Sequence, residues 1–274
     1  MSLGIAFKGP EGIVLAADSR VTLMAQIAGQ NVAIPSTFDN ATKLLKIEGQ
    51  KHVGAVTYGL GALGQKQPRT AHSFIPEFET ELAGTDRLSV QEFARKLSDF
   101  FMGQWKDQGM PSSVSPGQDM VFLVGGYDLD QPYGRVFELH IPTSPVPQEW
   151  HVDSFGMVWG GQKEITTRII SGFDDGLLLA TQQFLDLQDA QRDALAQHLR
   201  EKLQLPIPFA FLPLQDCVDL SVALIRATIT MQSFIVGVRG VGGAIDVATI
   251  TRTEGFRAIH IKEVISENKR GERK

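Results

Sequence analysis

Ser2 becomes the first residue of the chain once Met1 is removed, and an N-terminal serine can act as a self-contained nucleophile. Its hydroxyl attacks, while its own α-amino group accepts the hydroxyl proton, often through a water molecule. Because a free α-amino group has a pKa of roughly 7.7–8.0, much of it is near its useful protonation state at cellular pH. Serine is common after an initiating methionine, so Ser2 indicates this chemistry only together with residues elsewhere.

Lys43 is a candidate for tuning such a nucleophile. It alternates with Leu45 and Ile47 along a predicted strand, so its side chain is expected on an apolar face. Burial lowers the pKa of an amine, whereas a nearby carboxylate raises it. The alternative is a structural lysine that extends from a strand end to solvent.

Other motifs that carry chemistry are absent or lack their context. Gly59, Gly61 and Gly64 match the glycine pattern of a dinucleotide-binding turn. That fold requires a second parallel strand within about 30 residues, and none is predicted there. The six histidines are scattered without the spacing of metal ligands. The sequence therefore predicts no metal and no cofactor.

Composition excludes several classes of protein. The 274 residues carry a net charge of −5, with 43% hydrophobic and 21% charged residues, as in ordinary globular chains. The only basic run lies in the last residues of the chain, which is too short for a nucleic-acid footprint. No apolar stretch approaches the roughly 20 residues of a membrane helix. The single cysteine, Cys217, is expected as a buried thiol. We expect a cytoplasmic protein with no nucleic-acid or membrane partner.

Runs of strands alternate with runs of helices along the chain, which predicts an α+β fold in one domain spanning residues 1–274. Ser89 and Glu92 form a capping box at the start of a predicted helix. Gly160 and Gly161 precede another helix. The predicted strands are residues 3–8, 12–17, 43–47, 52–58, 120–124, 135–140, 150–155, 244–251 and 258–264, and the other predicted helices are residues 186–203 and 216–231.

Several segments resemble proteasome β-subunits and their bacterial relatives. Residues 12–22 resemble the opening strand and the Asp-x-Arg-x-Thr turn of that family, whose catalytic N-terminal threonine then falls on Ser2 without a gap. Residues 43–47 resemble the strand that begins with its catalytic lysine. Residues 57–60 resemble the strand end that supplies the oxyanion-hole amide. A central hairpin at residues 125–139 and a late glycine-pair strand at residues 242–247 follow in the family's order.

The resemblance implies the four-layer αββα sandwich of the N-terminal nucleophile hydrolases, with two antiparallel sheets covered by helices. It implies Ser2, Asp18 and Lys43 as catalytic residues, with Asp18 beside the lysine, and the Gly59 amide facing the oxyanion. The residues that it implies for substrate binding are Arg20, Val21, Thr22, Ala41, Leu45 and Thr57.

The family also implies partners. Its members assemble as closed rings, so we expect a homo-oligomer of stacked rings that hydrolyses peptides or unfolded proteins, with a possible ATP-dependent unfoldase. Residues 186–212 exceed the family's usual spacing, which predicts a helical insertion there, and residues 267–274 form a predicted flexible basic tail.

The sequence departs from the family at two places. Gly160 and Gly161 stand where the family has a serine, and residues 238–241 contain neither the aspartate nor the serine usual before the glycine pair. Those groups support the N-terminal amine in the family. Two alternatives therefore stay open: a catalytically silent ring or scaffold subunit, and an amidase acting on small molecules.

Overall fold

The computed structural model describes residues 2–26, 33–64, 67–115 and 117–260. Within these ranges lie twelve strands: β1 (Leu3–Lys8), β2 (Ile13–Asp18), β3 (Val21–Gln26), β4 (Ala33–Phe38), β5 (Leu44–Lys46), β6 (Val53–Gly59), β7 (Met120–Gly126), β8 (Arg135–Ile141), β9 (Ser144–Trp150), β10 (Gly156–Gly161), β11 (Ile245–Thr251) and β12 (Gly255–His260). The α-helices are α1 (Ile75–Glu81), α2 (Val90–Asp107), α3 (Glu164–Ser171), α4 (Asp175–Leu185), α5 (Asp189–Leu203) and α6 (Leu214–Ser233).

The described strands form two five-stranded antiparallel sheets and a two-stranded ribbon. The first sheet has the order β10-β1-β2-β11-β12, the second has the order β5-β6-β7-β8-β9, and β3 pairs with β4. The mixture of antiparallel strands and helices that the sequence predicts is confirmed.

Local sequence explains the best-defined elements. Strands β1 and β2 are buried along their whole lengths, which matches their nearly continuous apolar runs. The turn between them closes with a hydrogen bond of 2.9 Å from the Gly9 N–H to the Gly12 carbonyl. Helix α2 begins at the predicted capping box, in which Ser89 and Glu92 satisfy each other's backbone N–H groups.

The two large sheets pack face to face. Residues of β1, β2, β10 and β11 meet residues of β6, β7 and β8 in one apolar cluster that includes Leu15, Val56 and Leu123. Because side chains alternate along a strand, the neighbouring residues point to the outer faces of the sheets. The centre of the described fold is therefore a pair of stacked sheets.

Helices cover both outer faces. Helices α1 and α2 pack on the second sheet through phenylalanines that include Phe78, Phe93 and Phe101. Helices α3 and α6 pack on the first sheet, where Cys217 is fully buried as predicted. Helices α4 and α5 contribute a small separate cluster.

None of the described helices is long and apolar enough to cross a membrane.

Several predicted elements are wrong or shifted. The strand predicted at residues 150–155 does not form: β9 ends at Trp150, and residues 151–155 turn into β10. Strand β9 was missed because Pro145 and Pro147 interrupt it, and proline is tolerated only at a sheet edge, where β9 lies. The predicted helix at residues 186–203 begins three residues later, and α4 before it was not predicted. Residues 261–264 of the last predicted strand, the basic tail and Met1 lie outside the described residues.

Tyr58 of β6 fixes how closely the two sheets approach beside β1. Its ring lies against the two glycines at adjacent positions of β1 and β10, Gly4 and Gly160, which pair directly. A Cβ atom at residue 160 would lie 2.2 Å from the Tyr58 hydroxyl, and one at residue 4 would lie 2.8 Å from the ring. The absence of side chains at both positions therefore leaves room for the ring.

Gly160→Ala should destabilise the protein, because the new methyl group overlaps the Tyr58 side chain. Overpacking of this kind costs about 1–3 kcal/mol in the free energy of unfolding, measurable by urea denaturation. Gly103→Ala is the matched control, since Gly103 lies in α2 with no heavy atom within 4 Å of the new Cβ. That control should stabilise the protein by up to about 1 kcal/mol through helix propensity. Equal effects of the two substitutions would contradict the packing described here.

Candidate functional site

The carboxylate of Asp18, at the end of β2, lies at the centre of the candidate site. It is fully buried and accepts hydrogen bonds on both oxygens. Oδ1 accepts from the Leu3 N–H at 3.0 Å and from Lys43 Nζ at 2.6 Å. Oδ2 accepts from the Arg20 N–H at 3.1 Å and from the Gly242 N–H at 2.9 Å. A single side chain therefore joins the starts of β1 and β3, the residue before β5, and the loop before β11.

Lys43 and Asp18 form a buried ion pair. Their side chains are 8% and 0% exposed, so water screens the pair weakly. Burying charges is costly unless they are paired and hydrogen-bonded, and the four donors around Asp18 meet that condition. The pair holds the lysine ammonium group in one place beneath the N-terminus of β1.

Ser2 and Lys43 line the same small cavity. Ser2 is 3% exposed, and its carbonyl accepts a hydrogen bond of 2.8 Å from the Gln162 N–H beyond β10. The cavity has a volume of about 20 Å³, which is room for about one water molecule. Ser2 and Lys43 thus lie on the wall of one space that can hold about one water molecule.

Most of the predicted substrate-binding residues lie around this cavity. Arg20, Val21, Ala41 and Thr57 line it. The remaining lining residues were not predicted from the sequence, and they are Thr42, Tyr58, Leu60, Gly61, Thr70 and Ala71. Thr70 and Ala71 come from the segment before α1, which carries no motif, so only the fold brings them to the site.

Three predicted residues lie elsewhere. Leu45 does not line the cavity: it packs in the core beneath α1 and α2, where it is fully buried. Thr22 does not line the cavity either, and its enclosed hydroxyl has no hydrogen-bond partner among the described residues. Gly59 lines a second, larger cavity, although its neighbours Tyr58 and Leu60 line the first. Gly59 has a φ of 84°, and a Cβ there would lie 2.3 Å from the Asp119 carbonyl, so glycine is required.

Arg20 is held by an acidic partner at the edge of the site. Its Nε and Nη2 atoms donate to the two carboxylate oxygens of Asp39 at 2.5 and 2.8 Å. This bidentate bond raises the pKa of Arg20 and lowers that of Asp39. A Cβ at Gly242 would lie 2.4 Å from the guanidinium carbon, so the glycine next to Asp18 also makes room for Arg20.

Ser19 and Asp246 are further buried polar residues beside Asp18 that the sequence analysis missed. The Ser19 hydroxyl donates to the Ala244 carbonyl at 2.7 Å and lies 3.4 Å from Asp246 Oδ2. They supply an acid and a hydroxyl near the glycine pair, although the segment before that pair has neither. An aspartate three residues after the glycine pair was the available sequence signal.

The larger cavity has a volume of about 1050 Å³ and contains a polar cluster on its second-sheet wall. Glu138 accepts hydrogen bonds from the Tyr58 hydroxyl at 2.5 Å and from Trp150 Nε1 at 2.9 Å. His140 lies between two carboxylates, with Nδ1 2.6 Å from Asp119 and Nε2 3.3 Å from Glu138. Tyr58 lines both cavities, so it forms part of the wall between them.

The charges of this cluster depend on one another. Hydrogen bonding to Glu138, with a further bond to Asp119, raises the pKa of His140 against the effect of burial. Burial acts to raise the pKa of Glu138, but hydrogen bonds from His140 and Tyr58 outweigh it, and the net shift is downward. Burial and the Glu138 charge raise the pKa of Tyr58, which keeps its hydroxyl protonated as a donor.

Asp18→Ala should destabilise the protein strongly. It leaves the buried Lys43 charge unpaired and three backbone N–H groups without their acceptor, and breaking a buried pair in this way costs about 3–5 kcal/mol. Asp39→Ala is the matched control, because its carboxylate is 45% exposed and also pairs with a cation. The control should cost about 1 kcal/mol or less. Denaturant unfolding of both variants measures the difference, and similar losses would contradict a central role for Asp18.

His140 should make stability depend on pH. Its pKa is raised above the ordinary 6.5, so its contribution is complete below pH 6.5 and is lost as pH rises through the raised value. The lowered pKa of Glu138 acts in the opposite direction, with its contribution lost as pH falls through that value. We expect the melting temperature to fall between neutral and alkaline pH, and His140→Asn to flatten that decline. An unchanged pH profile in the variant would show that the imidazole contributes nothing.

Comparisons with known proteins support the fold. No protein-family model matches the chain, and no curated protein matches it in sequence. Among solved structures, the chain is similar to a Gly-1 mutant of Anbu from Hyphomicrobium sp. strain MC1, with a TM-score of 0.55 and 14% sequence identity. The match covers 99% of this chain and 91% of that chain. Anbu is a proteasome-like protein of the N-terminal nucleophile hydrolase class, and the likeness over full length supports a proteasome-like fold for this chain.

Proposed function

We propose that this chain is a peptidase that hydrolyses peptide bonds through an acyl-enzyme on Ser2 after removal of Met1. The observation that carries the proposal is the buried Lys43–Asp18 pair, 2.6 Å apart, whose lysine lines the same cavity as Ser2. An N-terminal hydroxyl next to a fixed ammonium group is the arrangement that N-terminal nucleophile catalysis needs. Such a reaction requires no metal or cofactor.

In the proposed mechanism, the Ser2 hydroxyl oxygen attacks the substrate carbonyl carbon. Its proton passes to the Ser2 α-amino group through the water for which the cavity has room. The Lys43 charge, held by Asp18, stabilises the negative charge that develops on the Ser2 hydroxyl oxygen as it loses its proton. The α-ammonium group then protonates the leaving amine, the peptide bond breaks, and an ester remains on Ser2. Water attacks this ester, and hydrolysis restores the hydroxyl.

Gly59 has a proposed role in binding the oxyanion. It ends β6 between two residues that line the Ser2 cavity, and it has the positive φ that a tight approach requires. A backbone donor of this kind typically contributes about 3–4 kcal/mol to lowering the barrier.

The proposal includes a four-layer fold for this chain. Two stacked antiparallel sheets with helices on both outer faces support an assignment to the four-layer αββα sandwich of the proteasome-like hydrolases. By that assignment, the chain is one domain that assembles as stacked homo-oligomeric rings in the cytoplasm. Its substrates would be peptides or unfolded chains, delivered in some cases by an ATP-dependent unfoldase.

A catalytically silent ring or scaffold subunit is the second candidate. The observation that favours it is the glycine pair beside Ser2: a Cβ at Gly161 would lie 1.9 Å from the Ser2 carbonyl, so no side chain can support the amine from that position. A small-molecule amidase of the same fold is a further alternative, and the small volume of the Ser2 cavity favours it over a scaffold.

Ser2→Ala should fold normally and hydrolyse no peptide, because the change removes only the nucleophile. Lys43→Ala should lower kcat by roughly 100-fold or more, and Lys43→Arg should not restore it, since arginine is bulkier and spreads its charge. Rates on a panel of fluorogenic peptides provide the measurement, and melting temperatures serve as the control for folding. Wild-type rates in Lys43→Ala would make it a structural lysine.

A peptidyl epoxyketone should modify the active protein, because this warhead reacts with both the hydroxyl and the free amine of an N-terminal residue. Intact mass should show the protein from its native host without one methionine and, after treatment, heavier by one inhibitor. Retention of Met1 in that protein would reject the catalytic proposal. Removal of Met1 without modification or turnover would favour the silent subunit.

Assembly is tested by light scattering at micromolar concentration under native conditions. A closed ring of 30 kDa chains has a mass of several hundred kilodaltons, since a heterologous interface closes only after several copies. A monomer at 30 kDa would reject the ring and the enclosed peptidase with it.

A further inference from the structure

Strand β10 presents an unpaired edge to the larger cavity. It is the first strand of its sheet, with β1 on one side and no strand on the other among the described residues. The Gln162 N–H bonds to the Ser2 carbonyl, so the antiparallel alternation directs the N–H and C=O groups of Gly160 and Val158 toward β1. The same alternation turns the N–H and C=O groups of Met157, Trp159 and Gly161 outward. The Met157 carbonyl lies 3.2 Å from His151 Nε2, and the Gly161 carbonyl accepts from the Lys163 N–H at 3.0 Å. The N–H and C=O of Trp159, in the middle of the edge, are therefore the pair offered to a further strand.

The lining of the cavity shows that this edge faces it. All residues from Met157 to Lys163 line the cavity without a gap. One face of a strand would contribute only every second residue, so the consecutive run means that the backbone edge itself forms the floor. At about 3.3 Å per residue, the six residues of β10 extend for roughly 20 Å. Strand β10 ends at Gly160 and Gly161, where a Cβ at Gly161 would lie 1.9 Å from the Ser2 carbonyl.

The two walls of this trench differ in chemistry. The second-sheet wall carries Asp119, Glu138 and His140, which leaves one net negative charge when His140 is protonated. The helix wall is mixed: Ile170 and Phe209 are apolar, whereas Lys163 and Arg200 are cationic. A strand added beside β10 would point alternate side chains to these two walls, as Val158 points to the sheet core and Trp159 to the helix core.

We infer that β10 binds an extended peptide as an additional strand, with basic side chains toward the acidic second-sheet wall and uncharged ones toward the helices. This inference rests on the proposed peptidase, for which the trench would hold substrate residues away from the scissile bond. Edge-strand pairing recognises backbone in any sequence, while the two walls select side chains. It accounts for a cavity of about 1050 Å³ that is far larger than the Ser2 cavity requires.

The test measures binding of a fluorescein-labelled peptide of eight alternating lysine and valine residues by fluorescence anisotropy, with Ser2→Ala in every chain to prevent hydrolysis. Trp159→Pro removes the outward N–H, and proline is tolerated at a sheet edge when that group faces away from the neighbour. Trp159→Ala removes the same side chain and keeps the N–H, so it is the matched control. We expect a dissociation constant about tenfold higher for the proline variant than for the alanine variant. Equal values, or no binding by the parent, would overturn the inference.

Methylation of the peptide's backbone nitrogens tests the same pairing without changing the protein. Methyl groups at every second residue should abolish binding, and methyl groups at the intervening residues should leave it within about twofold, because only alternate N–H groups face β10. Uniform loss or uniform tolerance would overturn the inference even if Trp159→Pro fails to fold. A peptide with glutamate in place of lysine should bind about tenfold more weakly, and equal binding would overturn the chemistry assigned to the second-sheet wall.

The outcomes separate this inference from the proposed function. Hydrolysis by the wild-type chain, with no difference between the Trp159 variants, would keep the peptidase and reject the edge strand. Binding that depends on β10, without hydrolysis by the wild-type chain, would keep the edge strand and reject the peptidase.

Discussion

The buried carboxylate of Asp18 is the interaction on which the site depends, because four segments distant in sequence converge on its two oxygens. Three of its donors are backbone N–H groups, and the fourth is the Lys43 ammonium group. A buried charge is costly unless it is paired and hydrogen-bonded, and these four donors meet that condition. The ionised side chain in turn fixes Lys43, which no apolar residue could do. The geometry around Ser2 is therefore a consequence of satisfying one buried charge.

A second constraint comes from the close approach of the two sheets around Tyr58. Gly4 and Gly160 leave space for the ring, and the ring reaches across to place its hydroxyl on Glu138. The side chain that separates the two cavities is thus held at its base by packing and at its tip by a buried carboxylate. The polar cluster of the larger cavity and the apolar wall of the Ser2 cavity share this one residue.

The parts that could be predicted from the sequence are those governed by local patterns. The capping box at Ser89, the buried strands β1 and β2, and a buried lysine in phase with Leu45 are all readable from neighbouring residues. Leu45 shows the limit of such patterns. It has the same strand phase as Lys43, yet it lies in the core beneath the helices, whereas Lys43 lines the Ser2 cavity. The proline-containing β9 was invisible to periodicity because its strand character comes from pairing with β8.

Residues brought together only by the fold could not be predicted. Glu138 and His140 come from β8, Trp150 from the end of β9 and Asp119 from the loop before β7, and none belongs to a motif. Their proximity arises because β7, β8 and β9 are neighbours in one sheet, in a register that places His140 opposite Val121, two residues after Asp119. Strand β10 lies at the edge of the other sheet and lines the same cavity. If β10 binds a peptide as proposed, backbone hydrogen bonds would come from this edge and selectivity from the polar wall opposite it. Substrate recognition and the proposed activation of Ser2 would then lie on different sides of Tyr58, which lines both cavities.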